Sequence, residues 1–310
     1  MTMKNGIDLH LHLDGSLTPA YVIRQAKKQG IELPAWEENE LVKYMTAPVD
    51  CQDLNEYLEK FDLPCSVMQT EEGLTDAARD VCSQMKEQGL KYVEIRFAPQ
   101  LHTQKGLTQE QVVKAVLEGL LCDDDFQSRV ILCCMRKDNN EQENLETIHI
   151  AAKYLGKGVV AADLAGAEAL FPTSSFEKIF KEAKKEGLPF TIHAGEAAGP
   201  ESIWAALKFG AKRIGHGVRC LEDKELVAYL RKNQIPLEVC PTSNFQTKAV
   251  KGEYPLKKML EEGLCVTLNT DNTTVSGTTL EREYEIAGTQ LGLTEEEISR
   301  LKENAEKSRF

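Results

Sequence analysis

Apolar residues along the chain fall into two alternating patterns. Short runs dense in β-branched and other apolar side chains, at residues 7–12, 92–97, 130–135, 159–163, 190–193, 213–216, 237–240 and 266–269, read as eight strands. Between them, apolar positions recur three and four residues apart. Val112, Val113, Val116, Leu117 and Leu120 behind Thr108, and Phe176, Ile179, Phe180 and Ala183 behind Ser174 or Ser175, predict one-sided helices with hydroxyl N-caps. Gly89, Gly187, Gly210 and Gly263 each stand just before a strand, where a helix ends and the chain turns back. Several strands are apolar throughout, as strands covered on both faces are, so the alternation predicts an α/β fold with a parallel sheet wrapped in helices. Eight strands close a (β/α)8 TIM barrel; an open doubly wound sheet is the structural alternative.

One connection breaks the rhythm. Residues 15–89, between the first two strands, are too long for a single crossover and carry helical spacing near 21–28 and 54–61. They predict a helical insertion, either a lid over a site or a decoration that covers none. The whole chain, 1–310, otherwise fits one barrel domain. Thr294 to Glu297 reads as a capping box whose helix runs to Ser308 with no C-cap signal, which suggests a chain clipped short of a tail.

Composition narrows the partners. Thirty-seven basic against 49 acidic side chains leave a net charge of −12, which repels a phosphate backbone, so a small molecule is expected and nucleic acid is not. No apolar run approaches the ~18–20 residues of a membrane span, and residues 1–7 lack the apolar stretch of a secretory leader. Nine cysteines, none spaced C-x-x-C, predict neither a disulfide framework nor a thiolate zinc knuckle, and point to a reducing cytoplasm. Phosphate-loop, dinucleotide-binding and serine-hydrolase motifs are missing.

Of six histidines, His10, His12, His193 and His216 sit at the ends of predicted strands. Residues i and i+2 of a strand share a face, so His10 and His12 present two imidazoles side by side. A barrel gathers the C-terminal ends of its strands at one mouth, which brings His193, His216 and Asp271 to the same place. Three imidazoles and a carboxylate around a divalent ion leave room for an activated water. Each residue taken singly also fits a hydrogen-bonded core histidine or a helix-capping aspartate. Glu196 stands at the mouth of the His193 strand, as a general acid kept protonated by burial or as an ordinary loop glutamate. His216, between Gly215 and Gly217, suits a base or a further ligand. His102 reads as a solvated loop residue near the pocket, His149 as structural, and Cys133, Cys134 and Cys240 as small hydrophobes.

His10, His12, His193, Glu196, His216 and Asp271 lie within the ordered segments Asp8-Leu9-His10-Leu11-His12-Leu13-Asp14-Gly15-Ser16, Asp163-Leu164-Ala165-Gly166-Ala167-Glu168, His193-Ala194-Gly195-Glu196, Gly215-His216-Gly217, Cys240-Pro241-Thr242-Ser243-Asn244 and Leu268-Asn269-Thr270-Asp271. Together they resemble the adenosine deaminases of the amidohydrolase superfamily, in family order and from about residue 7 to the end. The resemblance implies one zinc ion on His10, His12, His193 and Asp271, and hydrolysis of adenosine to inosine and ammonia. It implies that Glu196 protonates purine N1, that His216 and Asp271 orient and deprotonate the attacking water, that the Gly166 N–H meets N3, and that Asp14 accepts from the ribose 5′-hydroxyl. The commonest family pattern has a second aspartate where this chain has Asn272, whose amide donates to N7 without needing a proton, as in many bacterial members. Cytoplasmic purine salvage with a purine nucleoside as partner follows; oligomeric state does not. Rival readings are an adenine deaminase, whose kind tends to carry Glu in place of Asp14, a two-metal hydrolase, disfavoured because Asp163 rather than a lysine ends strand four, and an inactive barrel serving as a binding protein.

Overall fold

In the computed structural model, which describes residues 4–48 and 51–310, the eight apolar runs form parallel strands: β1 (Gly6–His12), β2 (Leu90–Phe97), β3 (Gln127–Met135), β4 (Val159–Ala165), β5 (His193–Ala194), β6 (Ile214–His216), β7 (Leu237–Val239) and β8 (Val266–Leu268). β1 to β4 form one continuous ladder and β5 to β8 another. Two narrow seams join them. At the first, Ala162 takes the Thr191 N–H on its carbonyl and gives its own N–H to Pro189, each at 3.0 Å. At the second, Asp271 bridges back to β1, its N–H donating to the His10 carbonyl at 2.8 Å and its carbonyl accepting from the His12 N–H at 2.7 Å. Both seams being closed, the fold is the (β/α)8 barrel rather than the open sheet.

Local signals account for several helix ends. Thr108 and Gln111 form a reciprocal capping box at the start of the helix Gln109–Gly119. The helix Pro200–Phe209 ends on Gly210 at φ 103°, a left-handed turn that a side chain would strain. Ser174 and Ser175 do not cap: residues Thr173–Phe176 make a 3-10 turn that takes up those donors, and the helix Glu177–Lys185 starts with no side-chain cap. The helix Glu295–Lys307 is closed by tertiary contacts that no local signal announces, since the Ser308 carbonyl accepts from Arg213 at 2.7 Å.

The described residues of the stretch 15–89, which leave out 49 and 50, are mostly helical, with helices at Pro19–Gln29, Glu38–Met45, Leu54–Leu58, Asp62–Val67 and Glu71–Glu87. They are tied to the chain after β8: Ala47 N–H donates to the Val275 carbonyl at 2.8 Å, and the Thr46 hydroxyl to the Thr274 carbonyl at 3.0 Å. That anchoring holds the stretch 54–65 across the C-terminal mouth of the barrel.

The apolar core fills the space between strands and helices, but the barrel interior is charged. Arg96 donates to Asp163 at 2.9 Å, to Glu238 at 2.9 Å and to the Leu9 carbonyl at 2.6 Å. Arg213 donates to Glu238 at 2.6 Å and to Glu94 at 2.5 Å. All five side chains are buried and each charge has a partner, the condition under which buried ions are tolerated. Burial alone would raise the Asp163 and Glu238 carboxyls; His193 and Arg96 at the first, and Arg96 and Arg213 at the second, hold them well below the usual carboxylate range.

Two histidines depart from expectation. His102 is fully buried beside Phe97, not solvated, because the turn Pro99–His102 tucks inward, and burial pushes it down to about 4. His149 points to solvent, 3.5 Å from Glu182. All nine cysteines are free thiols, and Cys133, Cys134 and Cys240 are buried as expected. Among the described residues, no helix is long and apolar enough to cross a membrane.

Candidate active site

β1 delivers His10 and His12, β5 delivers His193, and the seam delivers Asp271. His193 Nε2 lies 3.0 Å from His10 Nε2 and 3.1 Å from His12 Nε2; Asp271 Oδ1 lies 3.4 Å from each of those two β1 nitrogens. On the far side of the rings, His10 Nδ1 meets Glu238 Oε2 and His193 Nδ1 meets Asp163 Oδ2, each at 2.8 Å. The Glu238 carboxylate at Nδ1 keeps the proton of neutral His10 there, so that ring turns its Nε2 lone pair toward the common centre, while Asp163 lies against the far edge of His193. Burial pushes His10 down to about 4 and His12 well below its ordinary value; for His193 burial also pushes down, but Asp163 outweighs it and pulls the ring up. Asp271 would be raised by burial, yet His10, His12 and His216 hold its carboxyl far below the usual range, and Ser243 donates to its Oδ2 at 2.5 Å.

The four donor atoms fit one ion. Four of the six separations among these atoms are 3.0–3.4 Å and all lie within 4.8 Å, and a tetrahedron with edges near 3.2 Å has its centre about 2 Å from each corner, the distance at which zinc binds imidazole nitrogen and carboxylate oxygen. Two imidazoles fixed by buried carboxylates are also the usual support of a metal site.

Beside this cluster, Glu196 Oε2 lies 3.5 Å from His216 Nε2, and Glu196 Oε1 accepts from the Thr247 hydroxyl at 3.0 Å. Burial raises the Glu196 carboxyl above its ordinary value. Asn244 Oδ1 accepts from the Tyr254 hydroxyl at 2.7 Å, which turns the Asn244 amide N–H toward His216 Nδ1 at 3.0 Å. Neutral His216 therefore carries its proton on Nε2 and presents a donor to the cavity. His216 and Asp271 both sit at positive φ, 61° and 62°, in a region L-residues seldom adopt, which is strain of the kind functional sites hold.

A cavity of about 370 Å³ joins these groups and takes in every expected site residue except His10, which lies behind His12 and His193. Asp14 is buried with Oδ1 unpartnered and Oδ2 near the Cys65 thiol at 3.7 Å. Gly166 lines the wall at φ 104°, where an added Cβ would press on Met135. Asn272 is brought to the wall but is not wholly free: its Nδ2 donates to the Tyr57 hydroxyl at 2.9 Å, which leaves one amide hydrogen uncommitted by that bond. The insertion supplies Leu54, Tyr57, Leu58, Phe61, Asp62 and Cys65 to the same wall.

Sequence reasoning missed several of these groups. Glu238 is a single charge inside an apolar strand and Arg96 alternates with Glu94 in another, signals that were present but read as outward-facing positions. Ser243, Asp163 and Glu168 stood inside recognised segments without a role. Nothing local marks Tyr57 or Cys65.

Comparison with known proteins follows the same lines. A family model described as "Adenosine deaminase" matches residues 6–310. A protein of Haemophilus ducreyi named adenosine deaminase is 52% identical over 304 residues, covering 95% of this chain and 88% of the relative. One of Enterococcus faecalis with the same name is 44% identical, covering 96% and 90%. The crystal structure of an adenine deaminase from Arthrobacter aurescens superposes with a TM-score of 0.89 at 31% identity, over 99% of this chain and 94% of that one.

Proposed function

The chain belongs to the adenosine deaminase family, and from that premise we propose how it deaminates adenosine to inosine and ammonia: one zinc ion on His10, His12, His193 and Asp271, with Glu196 as the acid at purine N1. When bound, such an ion supplies Lewis acidity that brings the ionisation of water toward neutral pH. Glu196, protonated through burial, gives its proton to N1 and removes much of the aromatic resistance to addition at C6. The His216 Nε2–H holds the attacking oxygen, so proton removal falls to Asp271. That proton passes to the leaving amine, the C6–N bond breaks, and the remaining hydroxyl proton returns to Glu196 as the lactam forms.

The other contacts set the substrate. The Gly166 N–H meets N3, and the second Asn272 amide hydrogen meets N7. The observation that carries a nucleoside rather than a free base is Asp14 Oδ1, a buried acceptor left without a donor in the same cavity, which a ribose 5′-hydroxyl satisfies. The insertion wall serves as a lid. Membership of the family and nine free thiols support a role in cytoplasmic purine salvage with a small purine nucleoside as partner.

The test is ammonia release from adenosine, 2′-deoxyadenosine, adenine and AMP, each with and without chelator treatment. Release from the two nucleosides alone, lost on chelation and restored by zinc, is expected. Release from adenine instead would overturn the role given to Asp14.

A further inference from the structure

We propose that Glu168 is the positioning residue of the N1 acid: its carboxylate gathers the main-chain N–H groups of Gly195, Glu196, Ala197 and Ala198 and so fixes the loop from which Glu196 faces the cavity. Gly195 N lies 2.8 Å from Oε1, while Glu196, Ala197 and Ala198 donate to Oε2 at 3.0, 2.7 and 3.0 Å. Ser202 Oγ adds a fifth donor at 2.5 Å from Oε1. Consecutive N–H groups converging on one anion are how a loop binds phosphate; here the anion belongs to the chain itself. Burial would raise the Glu168 carboxyl, but Arg136, Ser202 and these N–H groups keep it below its ordinary value, so it serves as a permanent acceptor.

The tie has a direction. Glu168 stands two residues after Gly166, so the segment that carries the N3 contact also grips the segment that carries the N1 contact. Ser202 spends its single proton on Glu168, so Thr173 must donate to Ser202, at 2.6 Å, while accepting from Arg136 at 2.9 Å. Arg136 also donates to the His193 carbonyl at 2.6 Å. Arg136 therefore holds the strand that leads into the loop, and Glu168 holds the loop along its length. Without that carboxylate four N–H groups lose their acceptor and the loop must move to find others. A shift of about 1 Å in a reacting group costs on the order of 100-fold in rate.

The inference rests on Glu196 being the N1 acid, and the experiment separates the two. Glu168→Gln, Ser202→Ala, Glu196→Gln and the double variant E168Q/E196Q are assayed with adenosine for kcat and KM, for zinc content, and for equilibrium binding of 1-deazaadenosine, which carries C–H in place of N1. E168Q is expected to lose about 100-fold in kcat, with KM, zinc content and 1-deazaadenosine affinity within about threefold of the parent, and the double variant is expected to be no slower than E196Q alone. Ser202→Ala, which removes one donor of five, is expected to lose about fivefold in kcat and carries the test if E168Q does not fold. Parental kcat in E168Q beside a crippled E196Q overturns the positioning role alone, as does a loss that falls in KM and 1-deazaadenosine binding, or one that multiplies with that of E196Q. Near-parental turnover in E196Q overturns the reading of the acid and the inference with it.

Discussion

Replacing Glu238 by Gln probes the charged interior and the metal ligands at once. Oε2 accepts from His10 Nδ1 at 2.8 Å and Arg96 at 2.9 Å; Oε1 accepts from Arg213 Nε at 2.6 Å and the Thr191 hydroxyl at 3.0 Å. A glutamine keeps one acceptor and turns the other into a donor. If its NH2 takes the Oε2 place, it confronts two donors, and His10 must move its proton to Nε2, where it opposes the metal. If it takes the Oε1 place, Thr191 can rotate but Arg213 cannot. Either way a buried guanidinium loses charge compensation, which costs about 3 kcal/mol, and the support of His10 weakens, which costs roughly 10–100-fold in metal affinity. Urea unfolding of the metal-free protein and zinc competition against a chromophoric chelator read the two effects separately. Unchanged stability would refute the claim that these ions need one another. Lost stability with unchanged zinc affinity would leave that claim standing and refute the orientation of His10 by Glu238.

Three further outcomes follow from the geometry. Gly15→Ala puts a Cβ into the Asn272 side chain, Oδ1 most closely; it is expected to destabilise by about 1–3 kcal/mol and to raise KM for adenosine while zinc content holds, and a parental KM would separate Asn272 from substrate binding. Because Glu196 acts in its protonated form and burial raises its carboxyl, kcat/KM is expected to fall as pH rises through that raised value, and a profile in which E196Q shows the same alkaline fall would assign the limb to another group. Asp14→Ala is expected to weaken adenosine by roughly 10-fold in kcat/KM, as loss of a buried hydrogen bond to a charged acceptor does, and to leave 5′-deoxyadenosine unaffected; equal losses on both substrates would place Asp14 elsewhere than at the 5′-hydroxyl.

The barrel and its mouth were legible because both rest on local pattern plus one geometric rule. Strand-forming runs announce themselves by side-chain type, and the closure of eight of them forces His10, His12, His193 and Asp271 together without further information. What stayed hidden depends on long-range packing. Glu94 and Arg96 alternate with Val93, Ile95 and Phe97, and such alternation reads as a solvated face; only closure turns that face inward, where the charges must find Arg213 and Glu238. His102 was misjudged for the same reason, since what covers it comes from distant chain. Asn272 lines the cavity, but its bond to Tyr57 depends on how the insertion packs, which its periodicity does not encode.

The seam at Asp271 also bears on the order of assembly. Two of the proposed ligands lie in the first strand and one follows the last, and contacts across this seam span about 260 residues, as between Leu9 and Asn269. Contacts of such separation form late, because the intervening loop entropy must be met before they reward the chain. During synthesis the nascent chain can display His10 and His12 long before the residues that complete the donor set exist. Tight metal capture should thus mark the end of folding rather than template its beginning, and zinc uptake measured against time during refolding should lag behind recovery of helical signal.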